Sequence, residues 1–378
     1  MHFASPITAF IVKTTQVCNL NCSYCYMYNH PDKSYKNKPA VMTEQVYAQM
    51  LERMNEFCEA GYASSIALTY HGGEPMLMNP ARFERLVDMT KTRLGSRLGS
   101  LSMQSNATRV TGDWIAVLRK HNIRISVSLD GPEDIHDSVR VDHEGRGSYS
   151  RTLDGFRALQ DAGLQPGILC VINPGRSGIR AYRHFRSLGI TNMDFLIPDV
   201  NFDSRPLLYP LPSLTPVADY LIPIFEDWYS EDNPNITVRL FEEVITLLLG
   251  GTSKTDAIGA RGVASYLVID SDGAILQSDV LKVCAPGVGD SGLNVMTHGF
   301  GDLKRAAPLV YDIVTGAIPL AVKCRMCPES SVCAGGYLPH RYSPRNGFDN
   351  PSAWCSDLLA LITHIRSRVT SDLRAHCA

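Results

Sequence analysis

Between residues 8 and about 200, short β-rich apolar runs alternate with amphipathic helical stretches, and this alternation limits the fold more than any other feature of the chain. "AFIVKTT" precedes "TEQVYAQMLERMNEFCEAG", "SIALTYHG" precedes "NPARFERLVDMTKTRL", and "LSMQSNAT" precedes "TGDWIAVLRKH". "IRISVSLDG" is followed by "SYSRTLDGFRALQDAG", "QPGILCVINP" by "IRAYRHFRSLG", and "NMDFLIPDV" closes the series. Turn residues stand at the strand ends. Strand–helix alternation implies parallel strands, hence a barrel or a wound sheet. Six units are two short of a closed eightfold barrel. The expected class is therefore α/β, a partial (β/α)6 TIM-like barrel whose open side admits a large substrate such as a peptide.

Beyond residue 205 the pattern changes. "RPLLYPLPSLTP" is a proline-rich connector, and "PVADYLIPIFEDWYS" and "VRLFEEVITLLLGG" read as helices. "SYLVIDSDGAILQSD" reads as a hairpin around an Asp-Gly turn. The last hundred residues are loop-rich and end in a short helix. We expect a partial barrel over 1–212, a helical bridge over 213–260 and a loop-rich domain with a C-terminal helix over 261–378. With 378 residues, 44% of them hydrophobic, the chain can build a large core. Net charge is -2 and no long charge run stands out, so neither nucleic acid nor membrane is an expected partner. "FASPITAFIV" is short, contains proline and follows no Lys or Arg, unlike a signal peptide. No stretch of about 18 apolar residues occurs. A cytoplasmic location is expected.

Eleven cysteines is an odd number, and in a cytosolic chain clustered cysteines are more often metal ligands than disulfides. Cys18, Cys22 and Cys25, in "TTQVCNLNCSYCYMYN", have the spacing C-x3-C-x2-C. Their loop follows the first strand, at the barrel face where active sites gather. Three thiolates can hold three irons of a 4Fe-4S cubane and leave the fourth open to an exogenous ligand. Zinc would need a fourth protein ligand. His30 is near in sequence, but zinc sites usually pair their ligands as C-x2-C. A second group, Cys324, Cys327 and Cys333 in "CRMCPESSVCAGGY" with Cys355 in "PSAWC", supplies four thiolates. That suffices for a 4Fe-4S cluster or a zinc site, and the spacing fits both. Cys58, Cys170 and Cys377 read as buried small hydrophobes or free thiols.

"CNLNCSYCY" resembles the signature of radical S-adenosylmethionine (SAM) enzymes. The resemblance implies that the open iron chelates the amino and carboxylate groups of SAM, with Tyr24 at the cofactor. One electron then cleaves SAM to methionine and a 5'-deoxyadenosyl radical, which abstracts a hydrogen atom. "YHGGEPML" looks like the family's GGEP motif, Gly72, Gly73, Glu74 and Pro75, which binds the SAM amino group. Glycines there let the backbone approach a ligand closely. "MQSNAT" and "SVSLDGPEDIHDSVR" resemble the next strand-end segments. By that match Ser105 or Asn106 contacts SAM, Ser128 and Arg140 bind its ribose or carboxylate, and Asn173 in "LCVINP" approaches it too.

The C-terminal cysteines resemble a SPASM domain, which usually holds two auxiliary clusters. Here cysteines are missing from "GGTSKTDAIGARGVASY", Ser278 occupies one ligand's place, and Tyr337 stands where another would continue. The resemblance therefore implies one auxiliary 4Fe-4S cluster on Cys324, Cys327, Cys333 and Cys355, with Cys284 left over, read as a buried thiol, with a stray ligand as the alternative. In related sulfatase maturases an aspartate at the position of Asp279 deprotonates the substrate, and a carboxylate beside a buried cavity can have a raised pKa suited to that work. An Asp capping a hairpin turn is the plain alternative. His71 stands where sulfatase maturases would have glutamine. We read it as a satisfied strand-end histidine, with orientation of a substrate side chain as the alternative.

"MDFLIPDVNFD" and "CAGGYLPHRYSPRNGFDNPSAWC" look like the maturases of ribosomally made peptides that form three-residue cyclophanes. That group joins an aromatic ring carbon to the β-carbon of a nearby residue. The implied partners are a precursor peptide and a low-potential electron donor, flavodoxin or ferredoxin. Few residues precede Cys18, so leader recognition is expected to use the barrel, the SPASM-like region or a separate protein. Competing readings are formylglycine formation by an anaerobic sulfatase maturase, epimerisation or thioether formation, and a non-catalytic iron–sulfur or zinc module.

Overall fold

The computed structural model describes residues 7–253, 255–259 and 266–377, with side chains through residue 375. In chain order the strands are β1 (Ala9–Thr15), β2 (Ile66–Gly72), β3 (Leu98–Ser105), β4 (Arg124–Ser128), β5 (Gly167–Val171), β6 (Asn192–Leu196), β7 (Thr237–Val238), β8 (Tyr266–Ile269), β9 (Ala274–Leu276) and β10 (Asp290–Asn294). One compact unit comprises Met1–Ser128, Asp137–Gly167 and Ala264–Thr315. A second comprises Leu129–His136, Ile168–Val263 and Gly316–Ala378. The six strands expected from the alternating pattern are β1 to β6, and the fold is α/β with a parallel core.

In the first unit the strands lie in the order β10-β9-β8-β1-β2-β3-β4. Those from β8 to β4 are parallel, while β9 and β10 run antiparallel at the edge. The β8–β9 hairpin forms where the Asp-Gly turn placed it. Its first strand also lies along β1, pairing Phe10 with Leu267 and Val12 with Ile269. A strand flanked on both edges and covered on both faces reads as a near-continuous apolar run. "AFIV" at the start of β1 is such a run, with Phe10 and Val12 fully buried.

Helices return between the strands because their starts are capped. Thr43 caps Glu44–Glu59 and Thr111 caps Gly112–His121, each accepting a backbone N–H through its hydroxyl. Asn79 does the same for Pro80–Leu94, where proline at the first position has no N–H to satisfy. Phe10, Phe57 and Phe300 stack the helix layer onto the sheet, with ring centroids 4.6 to 6.5 Å apart.

The second unit holds the parallel strands β5, β6 and β7. Phe225 anchors its helices against Phe241 and Tyr229, at 5.4 and 5.0 Å. The last helix, Cys355–Cys377, runs 23 residues and extends one residue at each end beyond the expected "SDLLALITHIRSRVTSDLRAH". Its Asp357 accepts the N–H groups of Val217 and Ala218 at 2.6 and 3.1 Å. That buried carboxylate caps the helix Pro216–Glu231 and locks the two helices together. No helix among the described residues is long and apolar enough to cross a membrane.

Candidate active site

The loop bearing Cys18, Cys22 and Cys25 leaves the end of β1 and is shaped by the strand ends around it. Asn21 and Ser23 donate their N–H groups to Val141 and Val139 at 2.7 and 2.9 Å. From the other side, Gly73 and Glu74 donate theirs to Thr15 and Val17, both at 2.9 Å. This lacing explains the two glycines. A Cβ on Gly73 would lie 2.2 Å from the Val17 carbonyl, and one on Gly72 the same distance from that of Thr15. The close approach they permit is to the cysteine loop's own backbone.

Glu74 fastens the next strand end. Its buried carboxylate accepts from the Ser105 hydroxyl and the Asn106 N–H, each at 2.7 Å, and from the Met76 N–H at 3.0 Å. Asn106 in turn reaches Asn19 at 3.1 Å and the Cys18 sulfur at 3.8 Å. Ser128 accepts from Gln104 at 2.8 Å. Arg140, buried, stacks over the Tyr24 ring at 5.3 Å and lies 4.0 Å from the Cys22 sulfur. The contacts thus bring Asn106 to Cys18 and Arg140 to Tyr24 and Cys22, with Glu74 and Ser105 one hydrogen bond behind Asn106 and with Gly72 and Gly73 against Thr15 and Val17. Ser128 ends β4 beside Gln104. Asn173 lies past β5, in the second unit.

The donor set suits a cluster. Burial, Glu74 and the other two cysteines push the Cys18 thiol up, and burial likewise raises Cys25. Three thiolates crowded in a half-buried loop repel one another unless a metal compensates their charge. The Leu20 N–H, 3.4 Å from the Cys18 sulfur, supplies the kind of hydrogen bond that tunes cluster sulfurs.

Asp279 belongs to the same unit, in the turn after β9. It is buried and ion-paired to Lys13 of β1 at 2.5 Å, and the Tyr26 hydroxyl donates to the same oxygen at 2.8 Å. Lys13, also fully buried, donates to the Met27 sulfur at 2.8 Å. Burial alone would raise the Asp279 pKa, but Lys13, with His71 and Lys282, outweighs it and holds the carboxyl well below the usual range. The expected raised pKa is therefore reversed, because the counter-charge sits in β1 and is invisible from the hairpin sequence. Sequence reasoning passed over Lys13. A charged residue inside an apolar strand is the signal that could have found it, since burying a charge requires a partner. His71 differs from expectation too: its Nδ1 is buried and has no hydrogen-bond partner. A second buried carboxylate, Asp270, takes Lys38 at 3.0 Å and Lys282 at 3.7 Å.

In the second unit, Cys324, Cys327, Cys333 and Cys355 line one cavity of about 290 Å3. One water needs only ~15 Å3, so the space suits a multi-atom cluster better than a lone ion. Among the described residues, no three His, Cys, Asp or Glu side chains close on a single metal ion. The buried Arg341 donates to the carbonyls of Asn350, Pro319 and Phe348, and its charge interacts with Cys324 and Cys333. Cys170 and Cys284 are buried and Cys58 is half-buried. The Cys377 side chain lies outside the described residues.

Residues 12–178 match the Radical SAM superfamily. The cysteine-type anaerobic sulfatase-maturating enzyme of Clostridium perfringens (strain 13) is 24% identical over 347 residues, 88% of each chain. Native anSMEcpe, solved with bound AdoMet and Kp18Cys peptide, is similar at TM-score 0.82 and 21% identity, over 98% of this chain and 100% of that one. Streptococcus suis SuiB, solved with the precursor peptide SuiA, is similar at TM-score 0.58 and 15% identity, over 92% and 76%. At these identities the structural likeness is one of fold.

Proposed function

The chain is a radical SAM enzyme, and we propose that it removes two hydrogens from a ribosomally made precursor peptide, joining an aromatic ring carbon to the β-carbon of a nearby residue. Cys18, Cys22 and Cys25 would hold a 4Fe-4S cluster with one iron open. Tyr24, Gly72, Gly73, Glu74, Ser105, Asn106, Ser128 and Arg140 would hold SAM, with Asn173 as a further contact. When bound, this pair supplies the 5'-deoxyadenosyl radical that takes a hydrogen atom from carbon. Cys324, Cys327, Cys333 and Cys355 would hold one auxiliary 4Fe-4S cluster, and flavodoxin or ferredoxin would deliver the reducing electron.

The observation that carries this reading is the tie between the cysteine loop and the Lys13–Asp279 pair, made by the Tyr26 hydroxyl. Joining the ring to the β-carbon takes a hydrogen-atom acceptor at the β-carbon and an electron and proton acceptor for the ring. The first unit has thiols that would hold the radical-generating cluster and ionisable side chains that can take the proton. Glu74 keeps the SAM-facing strand ends together, and Arg140 offers a fork that suits a carboxylate.

Crosslinking is favoured over formylglycine formation by Ser278, which stands in a cluster ligand's place and caps the Asp279 turn by accepting the Val280 N–H at 3.2 Å. Formylglycine formation is the second reading, supported by the sulfatase-maturating relative. The test is anaerobic reconstitution with the precursor peptide and SAM. Crosslinking predicts a mass loss of two hydrogens per link, with deuterium passing from the β-carbon to deoxyadenosine. Unchanged mass would point to epimerisation, and an aldehyde product to the second reading.

A further inference from the structure

We propose that His71 is the proton acceptor of this site, and that Lys13 and Asp279 are positioning residues that set its charge environment. The inference rests on the two-hydrogen oxidation above and names the group that takes the proton.

Strand register makes the first part of the case. Lys13 and His71 are partners across the parallel pair β1–β2. Partnered residues on adjacent strands project to the same face, about 4.8 Å apart. The imidazole therefore stands beside the lysine that holds Asp279, at the end of β2 where the GGEP segment begins.

Asp279 makes the second part. Its Oδ2 already accepts from Lys13 and from Tyr26. A proton placed on that carboxylate would abolish the charge that balances Lys13, a fully buried ammonium. Uncompensated buried charge is among the costliest arrangements in a protein, so Asp279 is a poor acceptor.

His71 makes the third. The residue is half-buried. Its Nδ1 is shut away from solvent without a hydrogen-bond partner, so Nε2 is the nitrogen a substrate can reach. A neutral ring carrying its proton at Nδ1 presents a lone pair there. Burial and Lys13 favour that neutral form, while Asp279 and the Gly72 backbone favour the imidazolium. The charged groups around the ring are Lys13 from β1 and Asp279 from the turn after β9, and Lys282 of the same turn acts on Asp279.

The step balances as follows. The β-carbon gives one hydrogen atom to the 5'-deoxyadenosyl radical, which becomes deoxyadenosine, and the carbon radical left behind bonds to the aromatic ring. The adduct must next lose one electron, for which an oxidised iron–sulfur cluster held by this chain's cysteines would be the acceptor. Its C–H bond breaks last: the electron pair restores aromaticity and the proton goes to His71 Nε2. The imidazolium so formed faces Asp279, still ionised on Lys13.

The test compares His71→Gln, His71→Ala, Asp279→Asn and Lys13→Met in the reconstituted holoenzyme, reading deoxyadenosine and peptide product separately across pH. Both His71 variants should lose product by about 100-fold, the usual worth of a general base. They should keep deoxyadenosine formation, and added imidazole should restore product in His71→Ala. Wild-type product formation should fall on the acid side as the ring protonates. Asp279→Asn should move that limb to lower pH by removing a negative charge, and Lys13→Met to higher pH by removing a positive one. Wild-type product yield in both His71 variants overturns the assignment. So does loss of deoxyadenosine along with product in both, which would make His71 a support of the fold or the cofactor site. If an aldehyde replaces the crosslink while the limb shifts hold, the crosslink reading falls and the assignment of His71 is supported.

Discussion

The loop carrying Cys18, Cys22 and Cys25 takes its shape from remote partners: Val139 and Val141 on one side, Gly73 and Glu74 on the other. The chain around Cys324, Cys327 and Cys333 makes its own shape from consecutive one-turn helices. Ala334, at φ 48°, with Gly335 and Gly336 at φ 86° and 67°, then turns the chain back through the left-handed region. The charge environments differ as well. Glu74, Arg140, Lys13 and Asp279 are all buried near the first group. The second is backed by Arg341 and by His340, which burial holds neutral. A loop held from outside can leave a coordination position open, because its neighbours and not its ligands fix it. Three ligands from one local stretch, with Cys355 from the start of the last helix as a fourth, are suited to closing a site completely.

The largest effects should separate these two designs. Replacing Cys18, Cys22 and Cys25 by Ala should drop deoxyadenosine formation to background, a loss of ~10^6-fold or more. Replacing Cys324, Cys327, Cys333 and Cys355 should spare some deoxyadenosine formation and stop the peptide product. Equal loss of both activities in the two variants would erase the distinction.

Next in size is the buried ion pair. Lys13→Met leaves Asp279 as an uncompensated carboxylate and should cost about 3–5 kcal/mol in denaturant unfolding, whereas Lys13→Met with Asp279→Leu should recover most of it. No recovery in the double variant would mean that the pair is not an isolated desolvated unit. Gly73→Ala should cost ~1–3 kcal/mol by driving a methyl into the Val17 carbonyl. It should also loosen the first cysteine group without touching the second, which separate iron counts on the two sets of cysteine variants would reveal.

The smallest effect belongs to the second unit. Burial lowers the His340 pKa from 6.5 to about 3. The unfolded chain then takes up the proton first as pH falls, so stability is fully present above pH 6.5 and declines from there down to about pH 3. At pH 5 the loss should be about 2 kcal/mol, from ~1.4 kcal/mol per unit. Denaturation of wild type and His340→Leu at pH 7 and pH 5 measures it. A wild-type stability that does not change would show that water reaches the ring.

Strand–helix alternation was legible because it is written locally, in periodicity and in caps such as Thr43, Asn79 and Thr111. The cysteine groups were legible because spacing alone narrows their chemistry. Register between distant strands was not. Nothing in "FIVKTT" tells that Lys13 stands beside His71, or that its counter-charge lies 266 residues away in a hairpin. The sign of the Asp279 pKa shift was lost for that reason, and so was the unsatisfied His71 nitrogen. Glu74 was legible as part of a motif, while its hold on Ser105 and Asn106 emerged only with the neighbouring strand in place.

β1 lies between β2 and β8, so its end is framed by the strand that carries His71 and by the hairpin whose following turn carries Asp279. Lys13 and His71 are consequently indexed by sheet hydrogen bonding, and Asp279 meets them from the turn after β9. Lys13 and His71 therefore keep their spacing for as long as the β1–β2 ladder holds, whatever the loops around them do.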